Sequence, residues 1–461
     1  MKQHWHPYRA FCQQLALPLA DRVTGRQVAK KLRFLQGAQW WTEDQIREYQ
    51  NRKLMSVIRY AYENTPHFQN VLDRMEMHPG QFRCIEDLVH LPVMSKSIIR
   101  KEGAQNLVVG DPSKLVRYRT SGSTGEQGTF YFSRTSDSLT YAAVLLFFSW
   151  AGFQLGDRHA LTGMTINRGW EKAIKDFLFR CYYISAFDLT DAQIRTVIRR
   201  LKSHRIGILA GYASSLHTIA SFLNANRETV PLQSVISLGD MLYDHYRINI
   251  ETAFDCMVHD TYGCCEGFQV AAQCSYGTYH VCMPLTLIEI VDEHGRQLEN
   301  GQTGRGILTR LDENPMPLIR YEVGDIATLS TKSNCPCGRS WQILDSLQGR
   351  DTDVVLTRNG HRLIVHFFTA IFEHEPSVQQ FQVVQHDLNS IDIAIVPTEE
   401  FDPLVQERLR TKIAQHCSND IQVQFQIVNH IPATASGKRR FVVSHINPLR
   451  RVERACNVSQ A

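Results

Sequence analysis

Thr120-Ser121-Gly122-Ser123-Thr124-Gly125 sets four hydroxyl-bearing residues and two glycines in a run of six. Glycines let a backbone approach a ligand closely, and successive N–H groups and hydroxyls can surround phosphate oxygens. The run is flanked by two strand-like segments, Leu115–Arg119 before it and Thr129–Ser133 after it. It therefore differs from a Walker loop, which opens a helix and ends in Gly-Lys-Ser/Thr. A flexible hairpin tip is the plainer alternative for this run taken alone. Four further segments follow in order: Thr261-Tyr262-Gly263-Cys264-Cys265-Glu266, Arg320-Tyr321-Glu322-Val323-Gly324-Asp325, Gly349-Arg350-Asp351-Thr352-Asp353, and Pro432-Ala433-Thr434-Ala435-Ser436-Gly437-Lys438-Arg439. Each alone reads equally well as a surface loop: Glu266 as an acid at a helix N-terminus, Asp325 as the end of a strand, Lys438 as one solvated charge.

A second chemistry-bearing group is Cys274 and His280 followed about 55 residues later by Cys335-Pro336-Cys337. Three thiolates and an imidazole make a tetrahedral Cys₃His set suited to structural zinc, since all four positions would be filled by protein. The separation of the pairs is longer than in a zinc finger. Cys282 could replace His280, and four unmetallated side chains in a loop region are the alternative. The absence of a basic stripe around this group argues against a nucleic-acid-binding zinc ribbon.

The ordered series from Arg119 to Lys438 resembles the adenylate-forming superfamily of acyl-CoA synthetases and ligases. More narrowly it is similar to the phenylacetate–CoA ligase branch, including relatives from capsule and surface-polysaccharide biosynthesis. The segment Leu91-Pro92-Val93-Met94-Ser95-Lys96 also resembles that branch, and members of the branch show a similar Cys…His…Cys-x-Cys arrangement. The resemblance implies ATP, magnesium and a carboxylic acid as reactants, with coenzyme A as acceptor of the acyl group. It implies that Thr120, Ser121, Gly122, Ser123, Thr124 and Gly125 hold the β- and γ-phosphates, Thr124 acting in catalysis. Glu266 would help bind magnesium, Tyr262 and Gly263 would lie at the adenine, Asp325 would bond the ribose hydroxyls, and Arg350 would contact the ribose or phosphates. Lys438 would bridge the acid and the α-phosphate, Asp351 would be the hinge, and Tyr212, Gly239 and Asp240 would line the acid pocket. Two departures stand out. Cys265 replaces the usual threonine before the glutamate, and no proline follows the glycine-serine run.

The elements that must position these residues read as α/β. Residues 1–110 are helix-patterned, Glu43 to Asn64 most clearly. From 115 to about 345, short apolar strands such as Ile206–Ala210, Val235–Leu238 and Met257–His259 alternate with helical stretches such as Ser214–Asn226. After Gly349 the pattern changes: Val354–Leu356 and Arg362–Val365 around Asn359-Gly360 form a hairpin signal. Strands at Phe381–Val384, Ile391–Val396 and Ile421–Val428 and a helix at Val405–His416 complete a small α+β unit. The expected organisation is a large adenylation domain over 1–349 and a small mobile domain over 350–461.

The chain's 461 residues exceed one core, and its 43% hydrophobic, 21% charged composition is that of a globular protein. A formal charge of +4 is too small to imply a nucleic-acid partner. The longest apolar run, Tyr141 to Phe153, has the length of a buried helix rather than a membrane span. Twelve cysteines without a secretory leader read as reduced thiols, and the cytoplasm is the expected location. Two other functions remain open: adenylation with transfer to a carrier protein, amine or sugar, and nucleotide binding without catalysis.

Overall fold

Local signals start the helices of the N-terminal region. Glu43–Asn64 opens on a capping box in which the Thr42 hydroxyl accepts the Gln45 N–H and the Gln45 side chain accepts the Thr42 N–H. Ser95 and Ser133 cap Lys96–Leu107 and Arg134–Trp150 in the same way with their hydroxyls. A computed structural model describes residues 6–119, 128–163, 169–186, 189–264, 266–292, 294–348, 354–357, 362–372, 375, 377–399, 401–417, 421–431 and 441–446. The described residues divide into two compact units, 6–119 with 128–157 and 259–348, and 158–258 with the described part of 354–446.

In the first unit, Val116–Arg119 and Thr129–Phe132 pair antiparallel, with Arg119 opposite Thr129, so the glycine-serine run joins two paired strands as expected. The run itself lies outside the described residues. Helix Arg134–Trp150 follows and buries Leu139, Ala142, Ala143, Leu146 and Phe147, which accounts for the long apolar run. The sheet of this unit takes strands in the order Thr286–Val291, Thr303–Arg310, Tyr321–Leu329, Ile343–Gln348, Tyr279–Val281, Phe268–Gln273 and Val258–Cys264. Every neighbouring pair in it is antiparallel.

This corrects the expected alternation of strands and helices up to about 345. Among the described residues from 258 to 348 there is no helix. The physical reason is connection length. Phe268 follows Cys264 and Tyr279 follows Gln273 after gaps that suit hairpins, whereas a parallel crossover needs a dozen residues or more. A second correction concerns Thr261–Cys264, which lie within the strand Val258–Cys264 rather than after one, with an irregular register at Tyr262/Gly263.

The second unit carries the expected parallel layers. Ser234–Leu238, Ile208–Tyr212, His159–Gly163 and Cys181–Ser185 pair in that order, all parallel. Helices Asp191–Ser203, Ala213–Ala225 and Asp244–Phe254 pack against them through Ile194, Leu216, Ile219, Leu223, Ile250 and Phe254. Ile208–Ala210 and Val235–Ile236 are buried without alternation, as strands covered on both faces are. Residues 354 onward form the antiparallel hairpin Val354–Leu356/Arg362–Ile364 and a mixed four-stranded sheet: Gln422–Ile427, Ser390–Pro397, Val378–Gln385 and Val442–Ser444. Phe367, Phe368, Phe372 and Phe381 centre its core. No described helix is long and apolar enough to cross a membrane.

Candidate functional site

Glu266 is almost wholly buried, at 4% exposure, on the turn between Val258–Cys264 and Phe268–Gln273. An isolated buried carboxylate is costly, so its partners decide its state. The Tyr321 hydroxyl donates to Oε1 at 2.9 Å, and Lys96 Nζ lies 3.2 Å from the same oxygen. Burial alone would push this carboxyl up; the Lys96 ammonium, with the Tyr321 hydroxyl and other hydrogen bonds, outweighs burial and holds it below the ordinary carboxylate range. Lys96 and Tyr321 are brought alongside by a backbone bridge in which Met94 N–H donates to Arg320 O and Glu322 N–H to Met94 O, both at 2.9 Å. Sequence reading placed Lys96 in a matching segment but gave it no part in the site. Its partner lies 170 positions away, and no local pattern signals such a pair.

Tyr262 and Asp325, the expected adenine and ribose residues, meet directly. The Tyr262 hydroxyl donates to Asp325 Oδ2 at 2.9 Å across non-adjacent strands of one sheet. Burial first, and then the Asp325 carboxylate, push the Tyr262 phenol well above its ordinary value, with Glu266 close enough to add to the effect. Glu266, Tyr262 and Asp325 therefore share one neighbourhood of the first unit. The Glu266 carboxylate, held charged, is a hard oxygen donor. That suits magnesium, which takes one or two protein carboxylates and completes its shell with water and phosphate oxygens.

In the second unit, Tyr212, Gly239 and Asp240 also converge. Gly239 has φ +81°, and a Cβ there would lie 2.4 Å from Tyr212 Cε1, so the tyrosine ring fills the space a side chain would need. Asp240 caps the helix Ala213–Ala225 from a neighbouring strand end. Oδ1 accepts Ala213 N–H at 2.5 Å, and Oδ2 accepts Ser214 N–H at 3.1 Å and its hydroxyl at 2.5 Å. Both oxygens of Asp240 are thus engaged in holding the segment that carries Tyr212. Thr120–Gly125, Cys265, Arg350, Asp351 and Lys438 fall outside the described residues.

The cysteine–histidine group is assembled in the first unit. The ligand atoms of Cys274, His280, Cys335 and Cys337 all lie within 4.8 Å of one another. Cys274 Sγ is 3.7 Å from Cys335 Sγ, and Cys337 Sγ is 3.2 Å from His280 Nε2. Tetrahedral zinc with bonds of about 2.3 Å to sulfur spaces two thiolates by about 3.8 Å, so the cluster fits the ion. His280 Nδ1 lies 3.2 Å from Trp341 O, an outer contact that leaves Nε2 facing the sulfurs. His280, and not Cys282, lies with the three thiols; the Cys282 thiol is wholly buried elsewhere and pushed up to about 12 by that burial. Burial likewise pushes the Cys274 thiol up to about 11. At Cys335 burial is outweighed by hydrogen bonds, the Cys337 N–H foremost, and its thiol is lowered. The nine cysteines whose side chains are described are free of disulfides.

Comparison with known proteins bears on the fold first. It matches a 2-hydroxyisobutyryl-CoA ligase solved with 2-HIB-AMP and CoA, with a TM-score of 0.60 at 18% identity over 92% of this chain and 93% of that one. The likeness to that acyl-CoA ligase is one of architecture, a large α/β part with a smaller C-terminal part. The particular relatives are CapK and phenylacetate–CoA ligases. Protein CapK of Staphylococcus aureus is 23% identical over 87% of this chain and 89% of CapK. A phenylacetate–coenzyme A ligase of Thermus thermophilus is 22% identical over 87% of this chain and 96% of that enzyme. Residues 355–445 match the family model of the CapK C-terminal domain.

Two outcomes test this geometry. Lys96→Met leaves Glu266 buried without its cation, so the variant loses about 3–5 kcal/mol near neutral pH. Without Lys96 burial raises the Glu266 carboxyl, and protonation then relieves the unpaired charge. The stability gap to wild type, read by urea unfolding, narrows as pH falls from about 8 to about 5; a gap independent of pH would contradict the pairing. For the metal group, purified protein carries about one equivalent of zinc by atomic emission and Cys335→Ser carries none. Because the Cys274 thiol must lose its proton, zinc affinity falls as pH falls.

Proposed function

We propose that this protein is an ATP-dependent, AMP-forming carboxylate ligase that makes an acyl-adenylate and passes the acyl group to coenzyme A. The observation that carries the reading is the convergence of Glu266, with its Lys96 and Tyr321 partners, on the Tyr262–Asp325 pair. A buried charged carboxylate, an aromatic ring and a second carboxylate supply a metal ligand, a face for a flat base and an acceptor for ribose hydroxyls. The phenylacetate–CoA ligase relatives support the same chemistry.

In the first half-reaction a carboxylate oxygen of the acid attacks the α-phosphorus of ATP, and pyrophosphate leaves. Two anions must meet, so cations and oriented donors are needed where charge accumulates. Thr120–Gly125 take the β- and γ-phosphates, Thr124 among them; Gly263 gives the base a flat approach, Arg350 meets the ribose or phosphate side, and Lys438 bridges acid and α-phosphate. Glu266 holds magnesium, which supplies charge neutralisation at the phosphates. Tyr212 and Gly239 face the acid, on a segment held by Asp240. In the second half-reaction the thiol sulfur attacks the acyl carbonyl, its proton is lost, and AMP leaves. Asp351 is the hinge between a domain over 1–349 and a smaller one over 350–461 that withdraws Lys438 between the two steps. Zinc at Cys274, His280, Cys335 and Cys337 is structural, and the reaction belongs in the cytoplasm, where its substrates are.

A second reading keeps the adenylate and changes the acceptor to a carrier protein, amine or sugar. The CapK match over 355–445 favours weighing it, because that segment is the one expected to serve the second step. A panel of carboxylic acids, assayed for pyrophosphate release with and without coenzyme A, separates the two. Thioester formation supports the first reading, and adenylate that accumulates beside unused coenzyme A supports the second. Lys438→Ala lowers acid-dependent ATP–pyrophosphate exchange by about 100-fold or more. Exchange undiminished in that variant, or no pyrophosphate from any acid, rejects adenylation as assigned.

A further inference from the structure

Arg310 is wholly buried at the end of the strand Thr303–Arg310, at 1% exposure. A guanidinium has five N–H donors, and a buried one must place them all. Nε donates to Asp312 Oδ1, and NH2 reaches Asp312 Oδ2 at 3.3 Å, which neutralises the charge. NH1 donates to the carbonyl of Gly267 and lies 3.3 Å from Thr140 Oγ1. NH2 donates to Ser136 O at 3.0 Å and also lies 3.3 Å from Thr140 Oγ1. Thr140 in turn donates to the same Gly267 carbonyl at 3.1 Å. The guanidinium stacks over the Phe132 ring, 5.0 Å from its centre.

These partners are not scattered. Gly267 adjoins Glu266. Phe132 ends the strand that returns from the glycine-serine run, and Ser136 and Thr140 lie on the first two turns of the helix after it. Gly267 has φ +80°, and a Cβ on it would come within 2.5 Å of Phe132 and 3.2 Å of Arg310, so the turn is moulded around this one side chain. None of the expected site residues includes Arg310, Asp312 or Thr140.

We propose that Arg310 is a positioning residue that fixes the Glu266–Gly267 turn against the segment following the glycine-serine run, and thereby sets the affinity for magnesium-bound ATP. The inference rests on the adenylation reading. Lysine at 310 keeps the charge but replaces a planar fork of five donors on three nitrogens with three donors on one nitrogen, which cannot span Asp312, Gly267 and Ser136 together. Outer partners of a metal-holding carboxylate are worth about 10–100-fold in metal affinity.

The test is calorimetric binding of ATP with and without magnesium, which needs no turnover. In Arg310→Lys the gain in ATP affinity conferred by magnesium falls by about tenfold or more, while affinity for ATP alone stays within about twofold of wild type. Thr140→Val removes one of the two donors to Gly267 O and gives a smaller loss in the same direction, so it decides the matter if Arg310→Lys does not fold. A purely structural role would lower the melting temperature and leave the magnesium gain unchanged. That result in folded variants overturns the proposal. Wild-type protein that binds ATP without any gain from magnesium overturns it too while leaving nucleotide binding intact. Wild-type protein that binds no ATP overturns the adenylation reading along with it.

Discussion

A carboxylate kept charged where water scarcely reaches is the constraint around which the first unit is arranged. Burial works against ionisation at Glu266, and a cation delivered from a distant part of the chain, helped by hydrogen bonds that include the Tyr321 hydroxyl, reverses it. That need accounts for the bridge between the segment around Met94 and the strand carrying Tyr321. The helical N-terminal region is therefore not a mere preface: it donates Lys96 from the first turn of a capped helix. A similar pairing holds at Tyr262 and Asp325, where a buried phenol donates to a carboxylate.

Much of the architecture was legible because its signals are local. The strand pair flanking the glycine-serine run, the buried parallel strand at Ile208–Tyr212 with its helix, the paired strands Val354–Leu356 and Arg362–Ile364 and the final sheet all announce themselves in alternation, apolar runs or turn residues. The antiparallel sheet over 258–348 was not legible. Its strands Thr286–Val291 and Phe268–Gln273 are buried on nearly every residue, so they read like members of a parallel sheet. The short gaps after Cys264 and Gln273 tell the difference, and a reading of layered α/β structure does not use them.

The site divides in the same way. Tyr262, Glu266 and Asp325 were singled out by ordered motifs, and the four cysteine–histidine side chains by residue type and resemblance; each set lies together in the structure. Lys96 and Arg310 were not singled out, because each acts through a partner far along the chain: 170 positions for Lys96 and 174 for the Arg310–Ser136 bond. A buried cation has no sequence signature of its own. Asp240 is a different case. It was placed at the acid pocket by position, and its carboxylate proves to be spent on a helix terminus, as its chemistry allows but does not announce.

The Tyr212–Gly239 contact has an evolutionary consequence. A ring that occupies the volume of an absent methyl group, beside a backbone in the left-handed region, excludes a side chain at 239 twice over: a smaller residue at 212 would clear the space and leave a φ of +81° that still favours glycine. Descendants of this protein can reshape that corner only by changing 212 and the backbone at 239 together. Lineages that retain the tyrosine inherit the glycine as an obligate companion.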